Sequence, residues 1–239
     1  MITDERLSAF LHSFDLPLSP QLEQIREKAL KEGVPVIRQE MISFLSVFLE
    51  LKHPGRILEV GTAAGFSALM MAEMTGGECH ITTIENYQPR IAQARKNFDS
   101  HPLGKKITLI EGDAADVLGS MEEEFDFIFM DAAKGQYIRF LPDAVRLLSS
   151  GGVLISDNVL QEGDILESHY IVERRKRTIY HRMREYLLTL KQHPLLVTSI
   201  VPIGDGAAVS VKRDGGPGET GDVSLSPAIK QKGFLCYGG

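Results

Sequence analysis

The spacing of apolar residues changes about 50 residues into the chain. Up to that point they recur three and four positions apart, which predicts helices. The first two such stretches carry Leu7, Phe10, Leu11 and Phe14, and then Leu22, Ile25, Ala29 and Leu30. A third runs from Met41 to Leu51 and stops at a Pro-Gly pair, Pro54 and Gly55. We therefore expect a helical lead-in over residues 1–52.

Short apolar runs follow, separated by segments long enough for helices. The runs are Arg56–Val60, His80–Ile84, Ile107–Ile110, Phe125–Met130 and Gly152–Ile155. Their nearly continuous apolar character is typical of strands that are buried on both faces of a parallel sheet. The helix-length segments are Phe66–Thr75, Tyr87–Ser100 and Tyr137–Leu148. This alternation predicts an α/β protein with a doubly wound sheet and helices on both faces.

Two later runs, Val197–Val201 and Ala207–Val211, are joined by a short turn. Such a connection predicts an antiparallel pair, so we expect a mostly parallel sheet of seven strands with an antiparallel last strand. No internal repeat or second hydrophobic core is evident. The prediction is one domain over residues 1–239, ending in a flexible, glycine-rich tail from about residue 214.

Composition excludes several classes of protein. The chain of 239 residues carries 26 basic and 32 acidic residues, a net charge of −6, and its pI is about 5.7. That balance argues against a nucleic-acid partner, which needs a basic surface. No apolar stretch is long enough for a membrane span, and the first ten residues do not resemble a signal peptide. Two cysteines, Cys79 and Cys236, cannot form a disulfide framework. We expect a cytoplasmic protein with no membrane partner.

A turn of small residues follows the first strand and precedes a helix. It contains Gly61 and Gly65, with Ser67 just beyond, but Ala63 stands where a dinucleotide-binding G-x-G-x-x-G motif has its second glycine. Glu59, two positions before the first glycine, would repel a pyrophosphate and could bind an ammonium group. The alternative is a tight strand–helix turn that binds no nucleotide.

Carboxylates also stand at the ends of the second and third strands. Glu85 lies 24 residues beyond Gly61, where a ribose diol would be bound, and Asp113 could receive an adenine amino group. A ligand with an amino acid, a ribose and an adenine in that order fits these three positions. S-adenosylmethionine has that order of parts, whereas nicotinamide dinucleotides lack the amino acid. The alternative is that these acids are merely solvated.

The fourth and fifth strands also end in polar residues. Asp131 follows one, and Asp157 and Asn158 follow the other, at the same edge of the sheet. Two carboxylates and an amide oxygen suit Mg²⁺, Mn²⁺ or Ca²⁺ better than Zn²⁺. Lys134 lies three residues beyond Asp131, and a nearby divalent cation would favour its neutral form, so it could act as a base. The alternatives are a helix cap or turn at Asp157 and a solvent-exposed lysine.

Taken in order, these motifs resemble a known family. The segments ILEVGTAAGFSALMMA, TTIE, EGDA, FDFIFMDAAKGQY, ISDNVL and VPIGDGAAV are similar to those of the cation-dependent O-methyltransferases of the catechol and caffeoyl-CoA type. The resemblance covers about residues 34 to 213. It implies a Rossmann-like methyltransferase sheet and, in the bacterial and plant branches, a homodimer. From the residues alone, the N-terminal helices could either cover their own sheet or pack on a second subunit.

The resemblance also implies roles for individual residues. The S-adenosylmethionine site would be lined by Glu59, Gly61, Ser67, Glu85, Ala114 and Asp131. The divalent cation would be held by Asp131, Asp157 and Asn158, and Lys134 would be the general base. The implied reaction moves the methyl of S-adenosylmethionine to a phenolic hydroxyl of a catechol-like or caffeoyl-CoA-like acceptor, with two adjacent hydroxyls chelating the cation.

Some features depart from the pattern or leave other functions open. Ala133 occupies a position that is aromatic in the mammalian catechol enzymes, and the chain has no tryptophan. The segment from Gln161 to Arg177 ends in four basic residues; it is either an exposed charged helix or a contact for the phosphates of a CoA thioester. Two other functions remain: an NAD-linked oxidoreductase and a catalytically silent S-adenosylmethionine-binding module.

Overall fold

Helices and strands alternate from residue 56 to residue 156, as the apolar pattern predicts. In this computed structural model, which describes residues 5–166, 173 and 175–214, the helices are α1 (Glu5–His12), α2 (Pro20–Lys31), α3 (Gln39–Lys52), α4 (Phe66–Met74), α5 (Gln88–Ser100), α6 (Ala114–Ser120), α7 (Tyr137–Leu147) and α8 (Arg177–Gln192). The strands are β1 (Arg56–Val60), β2 (His80–Glu85), β3 (Ile107–Glu111), β4 (Phe125–Met130), β5 (Leu148–Ser156), β6 (Leu196–Val201) and β7 (Ala207–Lys212). Short 3₁₀ helices lie at Gly104–Lys106, Lys134–Gln136 and Gln161–Leu166.

The strands form one seven-stranded sheet in the order β3-β2-β1-β4-β5-β7-β6. Neighbours among β1 to β5 are parallel, and β7 is antiparallel to both β5 and β6. The predicted fold class, including the antiparallel last strand, is confirmed. The strand order reverses between β1 and β4. Open α/β sheets bind ligands at the carboxyl ends of the strands beside such a reversal.

Both faces of the sheet are covered, which explains why its central strands carry buried apolar residues on both faces. Along β1, Ile57 belongs to one buried cluster and Leu58 to the other, because successive side chains point to opposite faces. Helices α2 to α5 supply the first cluster, through residues such as Leu45 and Leu69. Helices α6 to α8 supply the second, through residues such as Phe140. The strand ends are thereby held in fixed register.

The helical lead-in divides into two parts. Helix α2 begins at Pro20, where the Ser19 side chain accepts a hydrogen bond from the Leu22 amide and Pro20 opens the first turn. Helices α2 and α3 cover the sheet of their own chain through the first cluster. Helix α1 instead exposes the apolar residues that predicted it, including Phe10, which is 61% exposed.

The sequence pattern missed some elements and misplaced others. Helices α6 and α8 were not predicted, and β5 begins at Leu148 rather than at Gly152. Of the segment Gln161–Arg177, the described part has a short 3₁₀ helix at its start, a turn at residues 175–176, and the first residue of α8 at its end. The predicted tail beyond residue 214 and Cys236 lie outside the described residues. Of the helices that are described, none combines the length and the apolar character needed to cross a membrane.

Candidate active site

A cavity of about 610 Å³ opens at the carboxyl ends of the strands where their order reverses. It collects nearly all of the predicted site residues. Those on its wall are Gly61, Ser67, Glu85, Asp113, Ala114, Asp131, Lys134, Asp157 and Asn158. Glu59 is the exception, since it lies outside this lining. Residues that are up to 97 positions apart in the chain thus face one space.

The glycine turn brings the ends of β1 and β4 together. Gly61 has a φ of +107°, and a Cβ atom placed on it would lie 2.3 Å from the carbonyl oxygen of Asp131. A side chain there would therefore separate the turn from the Asp131 backbone, so only glycine is compatible with the contact. Ala63 also has a left-handed backbone, with a φ of +46°. The turn thus keeps a glycine-like conformation at a position where the sequence has alanine.

Glu59 lies behind the cavity wall. It is fully buried, and its two carboxylate oxygens accept hydrogen bonds of 2.5 Å from the hydroxyls of Ser67 and Thr83. Burial raises the pKa of this carboxyl to about 8, against the lowering effect of the two hydroxyls. Glu59 therefore holds Ser67, which does line the cavity. A contact between Glu59 and an ammonium group stays a prediction.

Glu85 is held by backbone amides. One carboxylate oxygen accepts from Ala63 N at 3.0 Å, and the other accepts from Asn86 N and Tyr87 N at 3.0 and 3.1 Å. These bonds take three of the roughly four acceptor positions of a carboxylate, so room for a further donor remains. The side chain is fixed at the cavity wall before any ligand arrives, as the proposed ribose contact requires.

Asp113 has a structural task that the sequence analysis did not include. Its side chain accepts from the Ala115 amide at 2.9 Å and caps the start of α6. An aspartate directly before two alanines is itself a signal for a helix start, and reading it would have predicted α6. The cap fixes the carboxylate at the cavity wall. A contact with an adenine amino group remains a prediction.

Asp131 and Asp157 stand at the ends of the neighbouring strands β4 and β5. Asp157 is 3% exposed. Its pKa is raised to about 7, mainly by burial and to a smaller extent by the negative charge of Asp131. Burial also raises the pKa of Asp131, and the positive charge of Lys134 opposes the rise. The Asp157 carboxylate accepts a hydrogen bond of 2.6 Å from the backbone N–H of Asn158, whereas no donor to the Asp131 carboxylate lies within the described residues. Two mutually repelling carboxylates thus share one end of the cavity.

Tyr137 connects the two strands beneath these carboxylates. Its ring is fully buried, and its hydroxyl lies 3.1 Å from the carbonyl oxygens of both Met130 and Asp157. The ring packs edge-on against Tyr186 with centroids 5.4 Å apart. Because the Tyr137 hydroxyl contacts one carbonyl at the end of each strand, it links the ends of β4 and β5. Sequence reasoning missed it, because a tyrosine in an apolar helix is no signal of a polar role.

The acidic end of the cavity fits a divalent cation by charge. Within the described ranges, no three His, Cys, Asp or Glu side chains come together as metal ligands, so a site would need the amide of Asn158 beside the two carboxylates. Buried Asp205 adds to the negative charge that acts on Asp157. Repulsion among buried carboxylates is relieved by a bound cation, and oxygen ligands suit Mg²⁺, Mn²⁺ or Ca²⁺. The donor set is therefore compatible with the predicted cation.

A doubly wound sheet with this cavity defines a ligand-binding α/β protein, and comparison with known proteins narrows the class. The family profile described as O-methyltransferase matches residues 12–213. A catechol O-methyltransferase of Mycobacterium tuberculosis is 31% identical over 181 residues, 71% of this chain and 77% of that protein. One of Niastella koreensis is 34% identical over 130 residues, which span 53% of this chain and 59% of that protein.

A solved structure gives the same result. The SAH-bound methyltransferase of Podospora anserina superposes with a TM-score of 0.79 at 26% identity, over 88% of this chain and 95% of that one. The chain belongs to the O-methyltransferase family. The enzyme class predicted from the motifs, an S-adenosylmethionine-dependent O-methyltransferase, is thereby confirmed at the level of the family.

Proposed function

We propose that the chain transfers the methyl group of S-adenosylmethionine to a phenolic hydroxyl of a catechol-like acceptor, with a divalent cation and Lys134 as general base. One observation carries the proposal: a single cavity joins the residues predicted for the cofactor to those predicted for the cation and the base. The two relatives named catechol O-methyltransferase support the acceptor class. A caffeoyl-CoA-like acceptor is the alternative within the same chemistry.

At the cofactor end the chain supplies fixed hydrogen-bonding groups. Glu85, already bound by three amides, would accept from a ribose hydroxyl, and Asp113 would accept from the adenine amino group. Gly61 would let the amino-acid part of the cofactor approach bare backbone beside Asp131. SAH, which is bound in the Podospora anserina relative, is what S-adenosylmethionine becomes after methyl transfer.

At the other end the chain supplies charge and a base. Asp131, Asp157 and Asn158 would hold a divalent cation, which when bound makes acceptor hydroxyls more acidic. Lys134 would take the proton from the hydroxyl that is methylated. Alignment of acceptor oxygen, methyl carbon and sulfur would account for much of the remaining rate. The reaction consumes one S-adenosylmethionine and yields SAH, the methyl ether and a proton.

A methyl-transfer assay tests the proposal. Purified protein is offered catechols, hydroxycinnamates and their CoA esters, each with Mg²⁺ and with EDTA. We expect methylation of at least one vicinal diol and its loss in EDTA. Full activity in EDTA would contradict the cation, and methylation of CoA esters alone would move the acceptor to the alternative class.

Calorimetry separates the other two functions. We expect the protein to bind S-adenosylmethionine and not NAD. Binding of NAD alone would favour an oxidoreductase, and tight binding of S-adenosylmethionine without turnover on any acceptor would favour a silent binding module.

We also propose a homodimer. The apolar residues that α1 exposes, Leu7, Phe10 and Leu11, are 50–61% exposed and support burial against a second copy. Light scattering on the wild type and on Phe10→Glu tests this: the wild type should have twice the mass of the chain and the variant should dissociate. A monomeric wild type would contradict the proposal.

A further inference from the structure

We propose that Arg38 determines acceptor specificity by binding an anionic group, a carboxylate or a phosphate, that the acceptor carries near the methylated hydroxyl. This inference rests on the proposed function and adds a substrate class to it. Arg38 precedes α3 and belongs to none of the motifs that identify the family.

Arg38 faces the cavity without a partner. It lines the same cavity as Lys134 and Asn158 and is half-buried. Over residues 5–166, 173 and 175–214, its guanidinium has no hydrogen-bonding or ion-pair partner. Arg90 also lines the cavity, but it lies over the Tyr87 ring, 5.7 Å from the centroid. The cavity therefore holds one arginine stacked on an aromatic ring and one whose charge is uncompensated.

The position of its stem places Arg38 at the acceptor end. A Cβ built on Gly204 would lie 3.5 Å from Arg38 Cδ, so the aliphatic stem packs on the turn between β6 and β7. That turn is bonded to the segment that follows Asn158: the Val159 amide donates to the carbonyl of Gly206 at 3.0 Å, and the next amide, that of Leu160, donates to the carbonyl of Asp205. The stem of Arg38 thus packs on a turn that is bonded to the residues directly after Asn158, a predicted cation ligand.

Charge and geometry together favour an anion as the missing partner. A guanidinium presents a planar fork of donors that matches a carboxylate or a phosphate, and it cannot lose its charge. The nearby carboxylates are committed elsewhere: Asp157 and Asp131 would hold the cation, and Arg38 pairs with neither. An anionic substituent on the acceptor would complete the pairing. A neutral acceptor would leave the partly buried guanidinium unpaired.

Direct binding of matched acceptors tests the proposal without requiring turnover. The probes are 3,4-dihydroxybenzoate, its neutral methyl ester, and 3,4-dihydroxyphenylphosphonate, which carry the same vicinal hydroxyls. Each is titrated calorimetrically into the Mg²⁺- and SAH-saturated protein. We expect the wild type to bind the charged probes about tenfold more tightly than the ester, as a charge-assisted hydrogen bond predicts. A comparison of carboxylate with phosphonate then identifies the preferred anion.

Three variants locate the effect. Arg38→Gln should bring the affinities for acid and ester together, and Arg38→Lys should keep part of the difference because it keeps the charge but not the fork. Arg90→Gln removes the same charge from the other end of the cavity and should keep the wild-type preference. The SAH affinity should be the same in the wild type and both Arg38 variants.

Three results would overturn the proposal. The first is an unchanged preference in Arg38→Gln, and the second is no preference in the wild type. The third is a weaker affinity of Arg38→Gln for SAH with unchanged affinity for the acceptors, which would assign Arg38 to the cofactor carboxylate. Failure of the proposed function would look different: the binding preference would be present, but no probe would be methylated.

Discussion

The two ends of the cavity satisfy their carboxylates in opposite ways. At the ends of β1 to β3, Glu59, Glu85 and Asp113 accept hydrogen bonds from the protein's own hydroxyls and amides. At the ends of β4 and β5, burial raises the pKa of both Asp131 and Asp157, and the negative charge of Asp131 raises the pKa of Asp157 further. The Asp157 carboxylate accepts one hydrogen bond, from the backbone N–H of Asn158, and the Asp131 carboxylate has no donor among the described residues.

This difference indicates what each end is built to bind. Carboxylates that are already held by neutral donors keep a fixed orientation and can accept further hydrogen bonds from a ligand. Carboxylates that repel one another gain most from a cation. The first end therefore suits the hydroxyls and amino groups of a nucleoside, and the second suits a divalent cation. Changes at one end should leave the other end's ligand unaffected.

The largest effect is expected from Lys134. Lys134→Ala should lower turnover about 10²-fold or more, because it removes the proposed base, while the cofactor affinity stays within about twofold. Turnover is measured by methyl transfer and affinity by calorimetry with SAH.

Lys134→Arg is the matched control, because it keeps the positive charge and cannot accept a proton at neutral pH. It should be as inactive as the alanine variant. If the arginine variant retains the wild-type rate, Lys134 acts through its charge and not as a base. Equal losses of turnover and cofactor affinity in the alanine variant would indicate a structural lysine.

The next effect concerns Asp157. Asp157→Asn keeps the shape of the side chain but removes one of two negative charges, so the affinity for Mn²⁺ should fall about tenfold or more. Calorimetric titration of Mn²⁺ measures this fall, and the affinity for SAH is expected to be unchanged. A variant that binds Mn²⁺ as tightly as the wild type would mean that the cation lies elsewhere.

The pH dependence of stability tests whether the Asp157 carboxyl is protonated in the folded protein. The pKa of Asp157 is about 7 in the folded protein, against an ordinary value of 3.8. The folded state therefore holds a proton that the unfolded chain has released, and this contribution to the free energy of unfolding is lost as pH rises from about 4 to 7. Buried Glu59, with a pKa of about 8, acts in the same direction over a slightly higher range.

Thermal unfolding in EDTA measures the consequence. The Tm of Asp157→Asn should exceed that of the wild type by a few degrees at about pH 8, and this excess should shrink toward about pH 5. Mg²⁺ should raise the Tm of the wild type at the higher pH more than that of the variant. An excess that is independent of pH would mean that Asp157 is ionised throughout.

Sequence reasoning reached the residues that stand at strand ends, because both the strand pattern and the end of each strand are local signals. It did not reach Tyr137, whose importance comes from two carbonyl groups that are seven and 20 residues away. It predicted a ligand contact for Glu59, which stays a prediction, and did not predict that the Glu59 carboxylate accepts hydrogen bonds from Ser67 and Thr83. Which side chains satisfy one another depends on packing across strands, and the spacing of residues does not carry that information.

A smaller effect is expected at the cofactor end. Glu85→Gln replaces one acceptor oxygen with an NH₂ group that faces backbone amides, so the fixed orientation is lost and the SAH affinity should fall about tenfold. The affinity for Mn²⁺ should not change, which is the reverse of the result for Asp157→Asn. If Glu85→Gln lowers both affinities equally, the two ends are not independent.

The smallest effect is expected in the turn that joins the two ends. Ala63 has a φ of +46°, a conformation that costs an alanine about 1 kcal/mol and a glycine almost nothing. Glycine loses more entropy on folding, so Ala63→Gly should change the free energy of unfolding by less than about 1 kcal/mol. The substitution also places a glycine where the dinucleotide motif has its second one, while Phe66 still occupies the position of the third. Because Glu59 and Glu85 still surround the turn, we expect calorimetry to detect SAH binding and no NAD binding; NAD binding by this variant would show that one methyl group, and not the carboxylates, selects the cofactor.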